Sequence, residues 1–420
     1  MDKFVIQGNY RLRGAVDISG SKNAALPILA ATLLTSEPCI IENVPNLKDI
    51  RSMARLLKGL GSDVQFTGTT IKIASNRDIG TEAPYKIVKE IRASFCVLGP
   101  ILARKKQAKV SFPGGCVIGV RPVDLHLKGM SLLGADIKIE GGYVVANAKN
   151  LKGARIYLAG AYGSSVLATA NVLMAATYAK GTTLLENVAT EPEVVDLANF
   201  LIKMGAKIKG AGSPVIEVTG VKNLRGVRYR IIPDRIEAGT YAIAGAMIGD
   251  GIEVKNCINE HMGAVINFLK EVNVPLQVKK DSLWIGRPKK MKSVNITTFP
   301  YPGFPTDLQA QAMALLSITP GISVICEKVF PNRFTHIAEL NRMGADIKIE
   351  GQSAIVQGVK GLSGAPLTVS DLRAGAALVL AGLVAKGRTD VLRVYHLDRG
   401  YEHMETKISG LGGCINREKE

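Results

Sequence analysis

A chain of 420 residues is longer than a single hydrophobic core usually grows, which predicts two domains. With 47% hydrophobic and 21% charged residues it has the composition of a globular protein with ample core, and a disordered chain is excluded. Aromatic residues make up only 5%, which argues against the stacking platforms of single-strand nucleic-acid binders; the formal charge of +17 can mark a nucleic-acid surface, a membrane-facing surface or a steering field for small anionic substrates, and is compatible with the last.

Along the chain, residues 1–15 carry charges every few positions and lack the apolar centre of a signal peptide. No apolar run reaches transmembrane length, so a cytoplasmic location and no membrane partner are expected. Phe4-Val5-Ile6-Gln7-Gly8 reads as a strand. Ser19-Gly20-Ser21-Lys22-Asn23 then opens a helix over 24–34 that is rich in Ala and Leu. A second helix ends at Leu56-Leu57-Lys58-Gly59-Leu60-Gly61, and this helix tail with its small turn recurs roughly every 70 residues. It returns at Leu132-Leu133-Gly134-Ala135, Ile202-Lys203-Met204-Gly205-Ala206, Leu340-Asn341-Arg342-Met343-Gly344 and Ile408-Ser409-Gly410-Leu411-Gly412, and weakly at Leu269-Lys270-Glu271-Val272-Asn273.

Between these tails lie helices predicted over 164–179, 238–248, 307–316 and 371–385, apolar on nearly every face as buried helices are. Strands rich in β-branched residues follow at 182–185 and 322–325. Helices buried all round imply sheets wrapped about them. The last module shows a helix and turn but no closing strands, so the two ends of the chain are expected to complete one module between them. Phe304-Pro305-Thr306-Asp307 and Ser370-Asp371-Leu372-Arg373 open their helices with small polar residues, and such helix ends favour anions. Asp307 reads here equally as a helix cap or as a catalytic carboxylate.

Six cysteines are scattered without CxxC or Cys/His spacing, so neither a metal site, a disulfide framework nor a cofactor is predicted. Cys116 ends the turn Pro113-Gly114-Gly115-Cys116, with Arg121 five residues on. A nearby cation favours thiolate over thiol, which makes Cys116 the candidate reactive thiol; the bland alternative is a small buried hydrophobe.

Several short strings now occur in a fixed order: Ser21-Lys22-Asn23-Ala24, Ile91-Arg92-Ala93-Ser94, the Pro-Gly-Gly-Cys turn, Arg121-Pro122-Val123-Asp124-Leu125-His126, Phe304-Pro305-Thr306-Asp307, Asn332-Arg333-Phe334, Asp371-Leu372-Arg373-Ala374 and Asp398-Arg399-Gly400-Tyr401-Glu402. Together, and across essentially the whole chain, they resemble the UDP-N-acetylglucosamine 1-carboxyvinyltransferase family of enolpyruvyl transferases, within the EPSP synthase-like superfamily. The resemblance implies an α/β fold of two inside-out barrels, each of three βαβαββ-type modules around buried helices. It places residues 21–233 in one contiguous domain carrying the Cys116 loop. Residues 1–20 with 234–420 form a discontinuous domain carrying Asp307, Arg333, Arg373 and Arg399.

The implied activity is transfer of the enolpyruvyl group of phosphoenolpyruvate to the 3′-hydroxyl of UDP-N-acetylglucosamine, the first committed step of peptidoglycan synthesis. Cys116 is then the acid and the adduct-forming thiol that fosfomycin alkylates, and Asp307 the base or orienter of the sugar hydroxyl. Lys22, Asn23, Arg121, Arg373 and Arg399 are carried over to phosphoenolpyruvate. Arg92, Arg121, Pro122, Val123, Asp124, Leu125, Gly163, Ser164, Ser165, Val166, Asp307, Val329 and Arg333 are carried over to the nucleotide sugar. One departure stands out: Leu167 occupies a position where the family's Ser-Val-Gly-Ala-Thr segment has glycine. A monomer acting on two small anionic substrates, without nucleic acid, is expected. The rivals are the sister transferase of shikimate 3-phosphate, which lacks the Cys116 loop, and a catalytically silent basic binding protein on the same scaffold.

Overall fold

The computed structural model describes residues 2–113, 123–160 and 163–419. Cys116, Arg121 and Pro122 lie outside them. The described chain divides into two compact units, 2–19 with 233–419 and 20–113 with 123–232.

Each unit holds three four-stranded sheets built to one plan. In the sheet of Glu82–Ala83, Gln107–Ser111, Asp136–Glu140 and Tyr143–Asn147, the first two strands run parallel and the last two form an antiparallel hairpin. The hairpin's second strand docks beside Gln107–Ser111, with Val110 opposite Val144. Two helices complete each βαβαββ module, and they differ in kind. One is buried all round: all of Gln309–Ser317 is buried, as is Arg373 to Leu383 within Leu372–Val384. The other is amphipathic, as in Lys48–Gly59 and Pro192–Met204, and buries one face only. The strands alternate in the same way, Tyr143–Asn147 burying Val144 and Ala146 against the helices.

The amphipathic helices end alike. Within two residues of each helix end the chain turns left-handed, with φ of +93° at Gly61, +97° at Gly134, +110° at Gly205, +91° at Gly344 and +90° at Gly412. The sixth copy carries Asn273 at φ +70°. Asparagine is the side chain that tolerates this region best, so the repeat weak in sequence is intact in backbone.

The last module corrects one expectation. Cys414–Lys419 is a closing strand of its own, and Asp2–Gln7 lies between it and Arg388–Leu392. It was missed because it sits at a sheet edge with only Ile415 buried among polar neighbours. The second N-terminal strand, Leu12–Asp17, pairs in parallel with Gly249–Lys255, while Arg228–Arg230 pairs with Cys39–Glu42. The strand before the helix Lys22–Ala31 and the strand before the helix Arg235–Ile248 have thus exchanged sheets.

Candidate active site

In the unit of 2–19 and 233–419 the notable side chain is Asp307. It is not a helix cap: the short 3-10 turn Thr306–Leu308 is preceded by Pro305 and the following helix by Leu308, neither with a side-chain cap. The carboxylate is instead gripped by two arginines. Arg333 Nη1 donates to Oδ1 at 2.8 Å, and Arg373 Nε donates to Oδ2 at 3.1 Å with Nη2 3.0 Å away. The side chains of Arg333 and Arg373 are only 7% and 2% exposed, that of Asp307 26%. Neither arginine is the solvated surface charge that 53 basic residues would make the default.

Arg373 is placed by its helix. Asp371 caps Leu372–Val384, its Oδ1 accepting from the N–H groups of Arg373 and Ala374 at 2.9 and 3.2 Å. That helix end is therefore already closed by a carboxylate, which corrects its reading as an open anion site. The Arg373 guanidinium lies 5.3 Å over the Tyr401 ring. Burial alone would push this group down, but Asp307, Tyr401 and Asp234 outweigh it and hold Arg373 well above its ordinary range. Nη1 has no well-aligned acceptor among the described residues, so a buried cation keeps donor capacity to spend.

Sequence reasoning quoted Tyr401 without giving it a role and missed its partners. Tyr401 Oη is 2.9 Å from Thr240 Oγ1, and Gln311 Nε2 donates to both, at 3.1 and 3.2 Å. The same amide donates to the backbone carbonyl of Asp307 at 3.1 Å, tying the aromatic floor under Arg373 to the carboxylate's own backbone. Glu327, also missed, is fully buried next to Val329. Arg399 ends the 3-10 turn Val394–Arg399, half-buried, ahead of Tyr401.

The other unit carries a second set. Ser21 caps Lys22–Ala31, its Oγ accepting from Ala24 N at 3.3 Å, so Lys22 and Asn23 stand in the first turn. Lys22 is buried, its Nζ 3.5 Å from Asp49 Oδ2. Arg92, half-buried, begins the 3-10 turn Arg92–Val97 that runs into Leu98–Lys105. Asn171 pins that segment: its Oδ1 accepts from Gly99 N at 2.6 Å and its Nδ2 donates to Phe95 O at 3.0 Å. Asn171 Nδ2 is also 3.0 Å from His126 Nδ1, and burial, helped by Arg92, pushes this imidazole down to about 3. His126 is thus a neutral core histidine rather than an acid or base.

Val123 and Leu125 point into the core, whereas Asp124 is exposed at the start of Asp124–Leu132. Gly163 and Ser164 form a short hairpin with Ala159–Gly160, and Gly163 takes φ +90°. Ser165 caps Val166–Ala176 through Ala168 N at 3.3 Å. Leu167 stands in that helix's first turn, half-buried.

Of the described thiols, burial pushes Cys39 and Cys257 up to about 11 and Cys96 to about 12, which makes them inert at neutral pH. Among the described residues no cluster of His, Cys, Asp or Glu could hold a metal, and no helix is long and apolar enough to cross a membrane.

Residues 6–408 match the family model described as EPSP synthase (3-phosphoshikimate 1-carboxyvinyltransferase). UDP-N-acetylglucosamine 1-carboxyvinyltransferase 1 of Caldanaerobacter subterraneus is 53% identical over 99% of both chains, and the UDP-N-acetylglucosamine 1-carboxyvinyltransferase of Myxococcus xanthus is 52% identical over the full length of both. Among solved structures, the enolpyruvyl transferase NikO from Streptomyces tendae superposes with a TM-score of 0.90 at 25% identity, covering 100% of this chain and 99% of that one. EPSP synthase from Acinetobacter baumannii, at 17% identity and a TM-score of 0.79 over the full length of both chains, shares the fold. With a family match spanning nearly the whole length and relatives above 50% identity from end to end, the chain belongs to the EPSP synthase family of carboxyvinyltransferases.

Proposed function

We propose that this chain transfers the enolpyruvyl group of phosphoenolpyruvate to the 3′-hydroxyl of UDP-N-acetylglucosamine, releasing phosphate, as the first committed step of peptidoglycan synthesis. The observation that carries the reading is the Asp307–Arg333–Arg373 cluster, a part-exposed carboxylate against two buried guanidiniums, in a chain more than 50% identical end to end to proteins bearing that activity's name.

The chemistry is addition followed by elimination. A proton is delivered to the methylene carbon of phosphoenolpyruvate, which makes carbon 2 electrophilic. The sugar hydroxyl loses its proton and bonds to carbon 2. The methyl group then gives back a proton as the bond from carbon 2 to the phosphate oxygen breaks. Cys116 is assigned as the acid, and its Pro-Gly-Gly turn as the loop that closes on bound nucleotide sugar and excludes water. Asp307 is assigned as base or orienter of the hydroxyl, its carboxylate held by the two guanidiniums.

Lys22, Asn23, Arg121, Arg373 and Arg399 are assigned to phosphoenolpyruvate, whose carboxylate suits the paired donors of arginine and whose phosphate suits a lysine point charge. Arg92, the segment Arg121 to Leu125, the segment Gly163 to Val166, Val329 and Arg333 are assigned to the nucleotide sugar. Because Val123 and Leu125 are buried and Ser165 is spent on its helix, their contacts are assigned to backbone atoms. A monomer working in a reducing cytoplasm belongs to the same reading, as does a two-domain division at residues 20–21 and 233–234. The test is phosphate release from phosphoenolpyruvate, run with UDP-N-acetylglucosamine and separately with shikimate 3-phosphate. Release with the first alone is expected; release with the second alone overturns the reading.

A further inference from the structure

Glu327 is a fully buried carboxylate that the chemistry above does not use. Its Oε1 accepts from Thr298 Oγ1 at 2.6 Å and from the backbone N–H groups of Val329 and Phe330, both at 2.9 Å. Its Oε2 accepts from Thr306 Oγ1 at 2.9 Å. Four donors on one carboxylate gather three chain segments, the residue Thr298, the turn at 306–308 and the loop at 327–330.

The turn at 306–308 and the loop at 327–330 both bear on Arg333. Thr306 Oγ1, held by Glu327, accepts from Arg333 Nη1 at 3.0 Å, and this nitrogen also donates to Asp307 Oδ1. Phe330, whose N–H is held by Glu327, accepts from Arg333 N through its own carbonyl at 2.9 Å. The Phe330 ring lies 5.7 Å from the Arg333 guanidinium carbon. Glu327 therefore fixes Arg333 at both its backbone and its head group, sets Val329 through its amide, and seats the residue immediately before Asp307.

We propose that Glu327 is a positioning residue, which orders Val329, Arg333 and Asp307 for the nucleotide sugar without touching it. This rests on the assignment of those three residues to UDP-N-acetylglucosamine. The neutral amide of Glu327→Gln keeps one acceptor oxygen and puts an NH₂ in place of the other, where the carboxylate accepts from four donors. With its oxygen facing Thr298, Val329 and Phe330, its NH₂ faces Thr306, whose hydroxyl then loses its acceptor.

The experiment is steady-state kinetics on the full chain with each substrate varied in turn. Bonds to a charged group are the stronger ones, so Glu327→Gln is expected to raise KM for UDP-N-acetylglucosamine about tenfold while KM for phosphoenolpyruvate stays within about twofold. Thr306→Val keeps the shape, removes the link between Glu327 and Arg333, and is expected to give the same shift. The double variant is expected to be little worse than either single one, because both break one chain of contacts. Unchanged KM values in both single variants, a fall in kcat with neither KM moved, or a double variant that multiplies the two effects overturns the positioning role. A parent protein that turns over neither substrate overturns the functional reading instead. Thr306→Val decides the question alone if Glu327→Gln does not fold.

Discussion

Replacing Asp307 with alanine should cost stability as well as activity, and by an amount the geometry sets. The side chains of Arg333 and Arg373 are 7% and 2% exposed, and their head groups converge on this one carboxylate. Removing it leaves two buried cations facing each other with their main counter-charge gone. Breaking a buried pair by deleting one partner costs about 3–5 kcal/mol; because Asp307 is a quarter exposed and water can enter its place, the low end applies, about 3 kcal/mol. A cap, by contrast, would cost only about 0.5–2 kcal/mol. Urea unfolding followed by Trp284, the single tryptophan, reads this directly, since Trp284 lies on strand Ser282–Ile285 of the same unit. Formate, small enough to occupy the vacated place, should restore part of the loss. Turnover should fall by about 10²–10⁴-fold, the range for removing a proton-transfer group. A variant within about 0.5 kcal/mol of the parent and indifferent to formate would refute the reasoning, because the guanidiniums would then not depend on Asp307.

Fosfomycin should label Cys116 and abolish turnover, while Cys116→Asp should retain some turnover and lose sensitivity, since a carboxylic acid still donates a proton; mass mapping that finds the label elsewhere counts against the assignment. His336, buried against Met313, is pushed down to about 4 and His126 to about 3, so the unfolded chain takes up protons below pH 6.5 that the folded one refuses. Their stabilisation is complete above pH 6.5 and shrinks as pH falls, by about 2 kcal/mol per histidine at pH 5. His336→Leu should flatten the pH dependence of the unfolding free energy from urea titrations by that amount, and an unchanged pH dependence rejects it. If the charge of +17 steers two anionic substrates, added salt should depress kcat/KM for both while leaving kcat nearly constant; tight oligonucleotide binding at physiological salt would point elsewhere.

What could be read from the sequence was whatever repeats or is local. The turn glycines announced the modules, and the copy at 269–273 reads weakly because Asn273 stands where the others have glycine. Five buried helices were visible from their composition. The sixth, Leu98–Lys105, was not, since Gly99 and Pro100 interrupt its pattern. Gly99 is there for packing: a Cβ would lie 2.3 Å from the carbonyl oxygen of Asn171. Asp307, Arg333 and Arg373 could be named from their motifs, but not that they meet, because 26 and 66 positions separate the arginines from the carboxylate. Glu327 left no local signal at all. Its partners Thr298 and Thr306 are 29 and 21 residues away, and a lone glutamate after Cys326 looks like any surface residue.

The exchange of first strands explains why one unit is contiguous and the other is not. Arg228–Arg230 returns to pair with Cys39–Glu42, so every strand of that unit falls within residues 20–232. Its three sheets can all close once residue 230 has been made. The other unit has no such order. Asp2–Gln7 must wait for Arg388–Leu392 and Cys414–Lys419, and Leu12–Asp17 for Gly249–Lys255, pairings that span nearly the whole chain. Contacts of that separation carry the largest loop-closure cost and form late. The Asp307 cluster belongs to this second unit, and its parts lie between residues 240 and 401. The carboxylate and its two arginines are therefore assembled inside the unit whose closure depends on both ends of the chain. Damage to the edge strand Cys414–Lys419 would thus act on Asp307 through folding, with no contact to the site needed.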